Sequence, residues 1–202
     1  MIRLGAFLVI FIFSYDFVFA QDKEFDYLNI EGNEISTTHL AKYTITIDGA
    51  YRYLGEFRHQ PIYGDKQFNV SMVVFSDGQR LFMVHAEKLT DGSGGLDYSQ
   101  FRPALLNETS FNLRERCVPE EVEEELSVNP EIRFIRDSGY DLSLPFFLSQ
   151  YMATSEDGTS EVVISMGRKI DSCDEIPAEF KLNIENDFIE EVFVKSDAKS
   201  FP

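Results

Sequence analysis

The chain has 202 residues and sets 35 acidic against 18 basic side chains, a net charge of −17. A surface this negative repels phosphate backbones and anionic lipid surfaces, which argues against nucleic acid as a partner. The length suits one domain, expected over 21–202, with a core large enough to need no staples.

The N-terminus reads as an export signal. Met1-Ile2-Arg3 is a short positive start, Leu4 to Phe13 an unbroken apolar run, and Val18-Phe19-Ala20 a small-residue cleavage site. The run is about ten residues, half of the roughly 20 that a spanning helix needs. Residues 1–20 are therefore expected to be a signal peptide. Gln21, rather than Cys, follows the cleavage point, and no apolar tail closes the chain, so no stable membrane anchor is expected. The expected location is outside the cytoplasm, periplasmic or extracellular.

Residues 21–42 form a polar lead-in with one strand, Phe25 to Ile30. Tyr43–Ile47 alternates apolar and polar, Asp48-Gly49 follows, and Tyr51–Phe57 returns. This pattern predicts a hairpin, because Gly and Asp tolerate the positive φ of a tight turn. Phe68–Phe75 and Leu81–Ala86 flank Asp77-Gly78 as a second hairpin. Its apolar quartets Met72–Phe75 and Leu81–Val84 should be covered on both faces and form the centre of the core. A helical insert is predicted over about 118–139: Pro119 precedes a run of acids that suits a helix start, and Asn129-Pro130-Glu131 caps a second short helix ending near Gly139. Phe146–Thr154 and Ser160–Arg168 form a third hairpin around Asp157-Gly158. Glu179–Ile184 and Phe188–Val194 read as a fourth, around Asn186-Asp187.

The fold class that follows is mainly β: about eight antiparallel strands in hairpins, as a barrel or two-layer sandwich, with a short helical insert. The alternative is α+β, one antiparallel sheet backed by helices. Cys117 and Cys173 are expected to form a disulfide, since an even pair in an exported chain is most simply one bridge. Asn69-Val70-Ser71 and Asn107-Glu108-Thr109 match the glycosylation pattern, whose use depends on the host.

No nucleophile elbow, phosphate loop, paired-Cys zinc knuckle or zincin helix is present, and no catalytic residue, metal or cofactor is assigned. In Thr90–Asp97, Asp91, Ser93 and Asp97 offer oxygens at alternate positions. Arg102, however, stands where a calcium loop would place its closing acid, and Gly is not at the sixth position. A flexible strand-exit loop, or a lid, fits better. Three histidines are present, His39, His59 and His85. His85 and Glu87 would share one face of a strand and could act as an acid/base pair; His59 could join them only if the first two hairpins are neighbours. Tyr51, Tyr53 and Phe57 are placed on one side of a strand, with Tyr63 beyond it. Such a row of rings serves a β core or lines a pocket.

These residues, with His85, Glu87 and Asp91, form the expected ligand surface. The expected function is a secreted or periplasmic non-catalytic domain that binds a small ligand or another protein. Two alternatives remain: a secreted hydrolase or metal-dependent enzyme with scattered site residues, and a structural subunit of a cell-envelope complex.

Overall fold

The computed structural model describes residues 25–196; the expected signal peptide, 1–20, lies outside the described residues. The first strands are β1 (Leu28–Glu31), β2 (Glu34–Thr37), β3 (Tyr43–Ile47), β4 (Arg52–His59), β5 (Ile62–Tyr63) and β6 (Lys66–Ser76). Next come β7 (Arg80–Leu89), β8 (Arg102–Leu106) and β9 (Thr109–Val118), then a 3-10 turn and helices α1 (Glu123–Ser127) and α2 (Pro130–Asp137). Strands β10 (Phe146–Thr154) and β11 (Ser160–Lys169), helix α3 (Ala178–Glu191) and strand β12 (Val192–Ser196) complete the order.

The strands form two antiparallel sheets, a large one ordered β4-β6-β7-β11-β10-β9-β8 with β5 beside β6, and a small one ordered β1-β2-β3-β12. Neither closes into a barrel. The two hairpins with the longest apolar runs make the centre of the large sheet. Phe75 opposes Phe82 and Val73 opposes Val84 across β6–β7; Met152 opposes Val163 across β10–β11. These strands are buried on both faces, as continuous apolar runs require. On the inner face, Phe82, Val84, Tyr151 and Ile164 pack against Ile45, Ile47, Val192 and Val194 of the small sheet and against Ile184 and Phe188 of α3. On the outer face, Met72, Val74, Leu81 and Met83 pack beneath Ile135 of α2. The chain is thus mainly β, two sheets face to face, with the helical insert over part of the outer face.

The insert forms as its capping residues predict. The Asn129 side chain accepts from the backbone N–H groups of Glu131 and Ile132, at 2.9 and 3.2 Å, with Pro130 in the first turn. The Cys117–Cys173 disulfide is present, with Cα atoms 5.6 Å apart. It ties β9 to the segment that leads into α3.

Four expectations are corrected. First, Asp48-Gly49 does not join a hairpin: β3 pairs with β2 and β12, whereas β4 pairs with β6 in the other sheet. A turn signal marks where the chain reverses, not which strand its arms then meet. Second, the predicted fourth hairpin is α3 followed by β12. Phe180, Ile184 and Phe188 recur at helical spacing and face the core, and Leu182, which completes the alternation, is 56% exposed. Third, the lead-in holds two strands, β1 and β2, paired as a hairpin. Fourth, β8 and β9 form an unexpected hairpin around Asn107-Glu108, both at positive φ (47° and 71°). In this turn the Asn107 side chain accepts from the Val194 N–H at 2.8 Å. The other glycosylation-pattern residue, Asn69, sits within β6 and bonds to Gln60 and Tyr27.

Candidate functional site

Strand alternation sorts the outer face of the large sheet into bands. Leu81, Met83, His85, Glu87 and Leu89 share that face along β7. Their partners across β11 are Gly167, Ser165, Val163 and Glu161 for the first four. Along β10 the same face runs Phe146, Leu148, Gln150. The surface is therefore apolar under α2, polar across a middle band, and apolar again at Phe68, Val70 and Leu89.

Into the middle band α2 projects Glu131 from its first turn. One carboxylate oxygen accepts from His59 Nε2 at 2.6 Å, and the other lies 3.8 Å from His85 Nε2. The Tyr63 hydroxyl reaches the first oxygen at 3.4 Å. Burial pushes the Glu131 carboxyl up, but the hydrogen bonds and charges of His59 and His85 outweigh it and hold it far below the carboxylate range. Glu131 is thus an ionised latch between helix and sheet. Its backbone position depends on the Asn129 cap, which links helix initiation directly to the site.

One row further along, Glu87 and Glu161 are cross-strand partners on the same face, and both are buried. Burial, together with the facing Glu161 and Glu131 carboxylates, pushes Glu87 well above its ordinary value. Glu161 is raised as well, by burial, although a hydrogen bond from Tyr98 opposes this. Two carboxylates this close in a dry setting do not both ionise cheaply. Because Glu87 is raised in the fold, its stability is fully present below the ordinary 4.5 and is lost as pH rises toward the folded value. Glu87→Gln is therefore expected to raise the urea midpoint at pH 8, with the gain shrinking to nothing below pH 4.5. A gain larger in acid than in base would contradict the pairing.

Tyr98 comes from the 90–101 loop, whose glycines have a packing reason. A Cβ on Gly94 (φ 68°) would lie 2.6 Å from the Asp157 carbonyl oxygen, and one on Gly158 (φ 64°) 2.9 Å from the Gly95 nitrogen. The loop is docked on the β10–β11 turn, with Leu96 N–H donating to the Gly158 carbonyl at 3.2 Å and Lys66 Nζ to the Gly94 carbonyl at 3.0 Å. Glycine here allows close backbone approach.

A cleft of about 100 Å³ opens between α1–α2 and the sheet. Its walls are apolar, among them Ile132, Leu142, Leu144 and Leu148. His85, Glu131, Gln150 and Arg116 are its polar lining. Arg116 opposes Leu148 across β9–β10. Among the described residues its guanidinium makes no ion pair or side-chain hydrogen bond. Arg58, Arg80, Arg102 and Arg136, by contrast, all pair with carboxylates.

The expected ligand surface is split. His85 and Glu87 do share a face, and Tyr63 joins them through Glu131. Tyr51 is buried on the inner face, its hydroxyl on Glu191 at 3.0 Å and its ring 5.3 Å from the Arg80 guanidinium. Tyr53 opposes Phe75, also on the inner face, whereas Phe57 opposes Met72 on the outer. A bulge at Leu54 reverses the alternation between them, so the aromatic row does not exist. Phe57 instead stacks on Phe134 of α2, centroids 5.1 Å apart. Asp91 is exposed and accepts from the Ser93 N–H at 2.9 Å, capping its own turn. His39 is buried, with Nε2 2.8 Å from the Glu161 carbonyl oxygen. Glu131, Glu161, Tyr98, Gln150 and Arg116 were not anticipated. They come from distant segments, and only the Asn129-Pro130-Glu131 cap hinted that an acid would be held at a fixed helix start. Among the described residues, no group of three or more His, Cys, Asp or Glu side chains is disposed to hold a metal ion.

Fold and site together define an open, mainly β two-sheet protein with a small, largely apolar cleft beneath a helical insert. No family model, curated protein or solved structure matches this chain.

Proposed function

We propose that the protein is an exported binding domain, freed from a leader ending at Ala20, with no chemistry of its own. Its ligand site is the cleft between α1–α2 and the large sheet. The carrying observation is that four polar side chains, His85, Glu131, Gln150 and Arg116, line an otherwise apolar slot, the usual build of a small-molecule site. The disulfide is compatible with an oxidising compartment, and no described helix is long and apolar enough to cross a membrane. Two observations favour binding over hydrolysis. His59 and His85 both address Glu131, with no hydroxyl or thiol nucleophile on either ring among the described residues. Glu87, the partner an acid/base pair would use, is buried and does not line the cleft.

Methyl NMR titration with a set of four-carbon-tailed alkanols, alkanoates and alkylamines tests this. Signals of Ile132, Leu142, Leu144 and Leu148 should shift, while those of Ile45 and Ile164 between the sheets stay put. Ile132→Trp should fill the slot and abolish the shifts. His85→Ala should leave the site occupied; a hydrolytic activity that vanished with it would favour the enzyme instead. Shifts confined to the inter-sheet core, or none at all, would remove the cleft as the site.

A further inference from the structure

Resting on the cleft as the ligand site, we infer that its occupant is a small amphipathic anion: a carboxylate with an unbranched apolar tail of about four carbons. The tail length follows from volume. An apolar cavity of about 150 Å³ takes a benzene ring, so a slot of about 100 Å³ takes roughly four carbons. Phe146, Leu148 and Gln150, alternate residues of β10, line one side of the slot, and an unbranched chain can lie along such a row.

The head group follows from charge. With 35 acids against 18 bases in the chain, carboxylates are abundant, yet among the described residues Arg116 bonds to none and feels the Glu131 charge only through space. Arg116 stands opposite Leu148 in the β9–β10 register, so its guanidinium sits beside the slot rather than remote from it. A planar guanidinium holds a carboxylate through two parallel hydrogen bonds, which no neutral head group matches. Gln150, one row on, has an amide whose contact to Ser165 Oγ is long, 3.5 Å. That amide is available as a further donor.

Glu131 lines the same slot and would repel an anion, but both its oxygens face histidine nitrogens. Its charge is already answered. Two further clefts among the described residues lack this imbalance. In one, Arg168 lies over Phe180 and shares the rim with Asp171 and Glu175. In the other, Arg136 is held by Glu123.

The test compares pentanoate, butan-1-ol and butylammonium, each with a four-carbon tail, by titration of the cleft methyls in the wild-type chain, Arg116→Gln and Arg116→Lys. Arg116 is exposed on a strand, so both variants should keep the wild-type thermal midpoint, which is measured first. Pentanoate should bind at least tenfold more tightly than the alcohol. Arg116→Gln should lose at least tenfold for pentanoate and less than twofold for the alcohol, and Arg116→Lys should recover only part of the loss. Lengthening the tail from propanoate should strengthen binding roughly fourfold per methylene and then level off near pentanoate. Unchanged pentanoate affinity in Arg116→Gln, or tightest binding of butylammonium, overturns the anion while leaving the cleft as a site. Failure of all three to shift the cleft methyls overturns both.

Discussion

Serine replacement of Cys117 and Cys173 together is expected to lower the free energy of unfolding by about 4 kcal/mol. The bridge spans 56 positions, and its main effect is to restrict the unfolded chain. The native consequence is local. Cys173 lies in the segment that delivers α3, and α3 places Ile184 and Phe188 between the sheets. Without the tether, each unfolding event frees both the α3 lead-in and the β9 end. The thermal midpoint should fall by about 12 °C, given roughly 2–4 °C per kcal/mol for a chain of this size. Urea unfolding with and without reductant measures it. A double variant within about 1 kcal/mol of wild type would show that the loop is already restricted without the bridge.

Glu131→Gln should cost about 2 kcal/mol at neutral pH, within the range for hydrogen bonds to a charged group. Glu131 joins α2 to both histidines, so its loss loosens the helix over Met72, Val74, Leu81 and Met83. The carboxyl is depressed in the fold. Its contribution is therefore present above the ordinary value of 4.5 and is lost as pH falls below it. Wild type and Glu131→Gln should converge in acid and separate at neutral pH. Glu87 runs the other way, its contribution fading as pH rises. Together the two acids place greatest stability in the mildly acidic range, between the loss of one term and the loss of the other. Hydrogen exchange of the α2 amides gives a local readout: protection should drop in Glu131→Gln while β6–β7 protection follows the global change only.

Local pattern was enough where long apolar runs flank a turn and pair with each other. The β6–β7 and β10–β11 hairpins were legible because each has a long apolar run on either side of an Asp-Gly turn, and the pairing is local. The cap at Asn129-Pro130-Glu131 was legible because it satisfies backbone donors two and three residues away. The same logic misled at Asp48-Gly49, where the turn is real but its arms diverge into different sheets. It misled again at Glu179–Ile184, where Phe180, Leu182 and Ile184 alternate like a strand. Phe188, one helical turn beyond Ile184, shows the true period. The Asn107-Glu108 hairpin was obscured because Glu115 stands where the apolar alternation of Phe111 and Leu113 would continue along β9.

The candidate site was legible only as a fragment. His85 and Glu87 share a face because alternate strand residues always do. The aromatic row failed for the converse reason: one extra residue at Leu54 turned Tyr53 and Phe57 to opposite faces, and a bulge leaves no local trace in composition.

Unaided, the sequence determined the mainly β character, the two central hairpins, the helical insert and the pairing of Cys117 with Cys173. Each depends on short-range periodicity, capping or there being only two cysteines. Tertiary structure alone decided that the strands form two open sheets and that β11 lies beside β7. It alone brought Glu131 to His59 and His85, and set Arg116, without an ion pair among the described residues, in the lining of an apolar cleft. Those relations join segments far apart in the chain, Glu131 to His59 across 72 positions and the strands of Ile47 and Val192 across the length of the fold, and sheet order is chosen by how whole faces bury one another, a property no single stretch of chain carries.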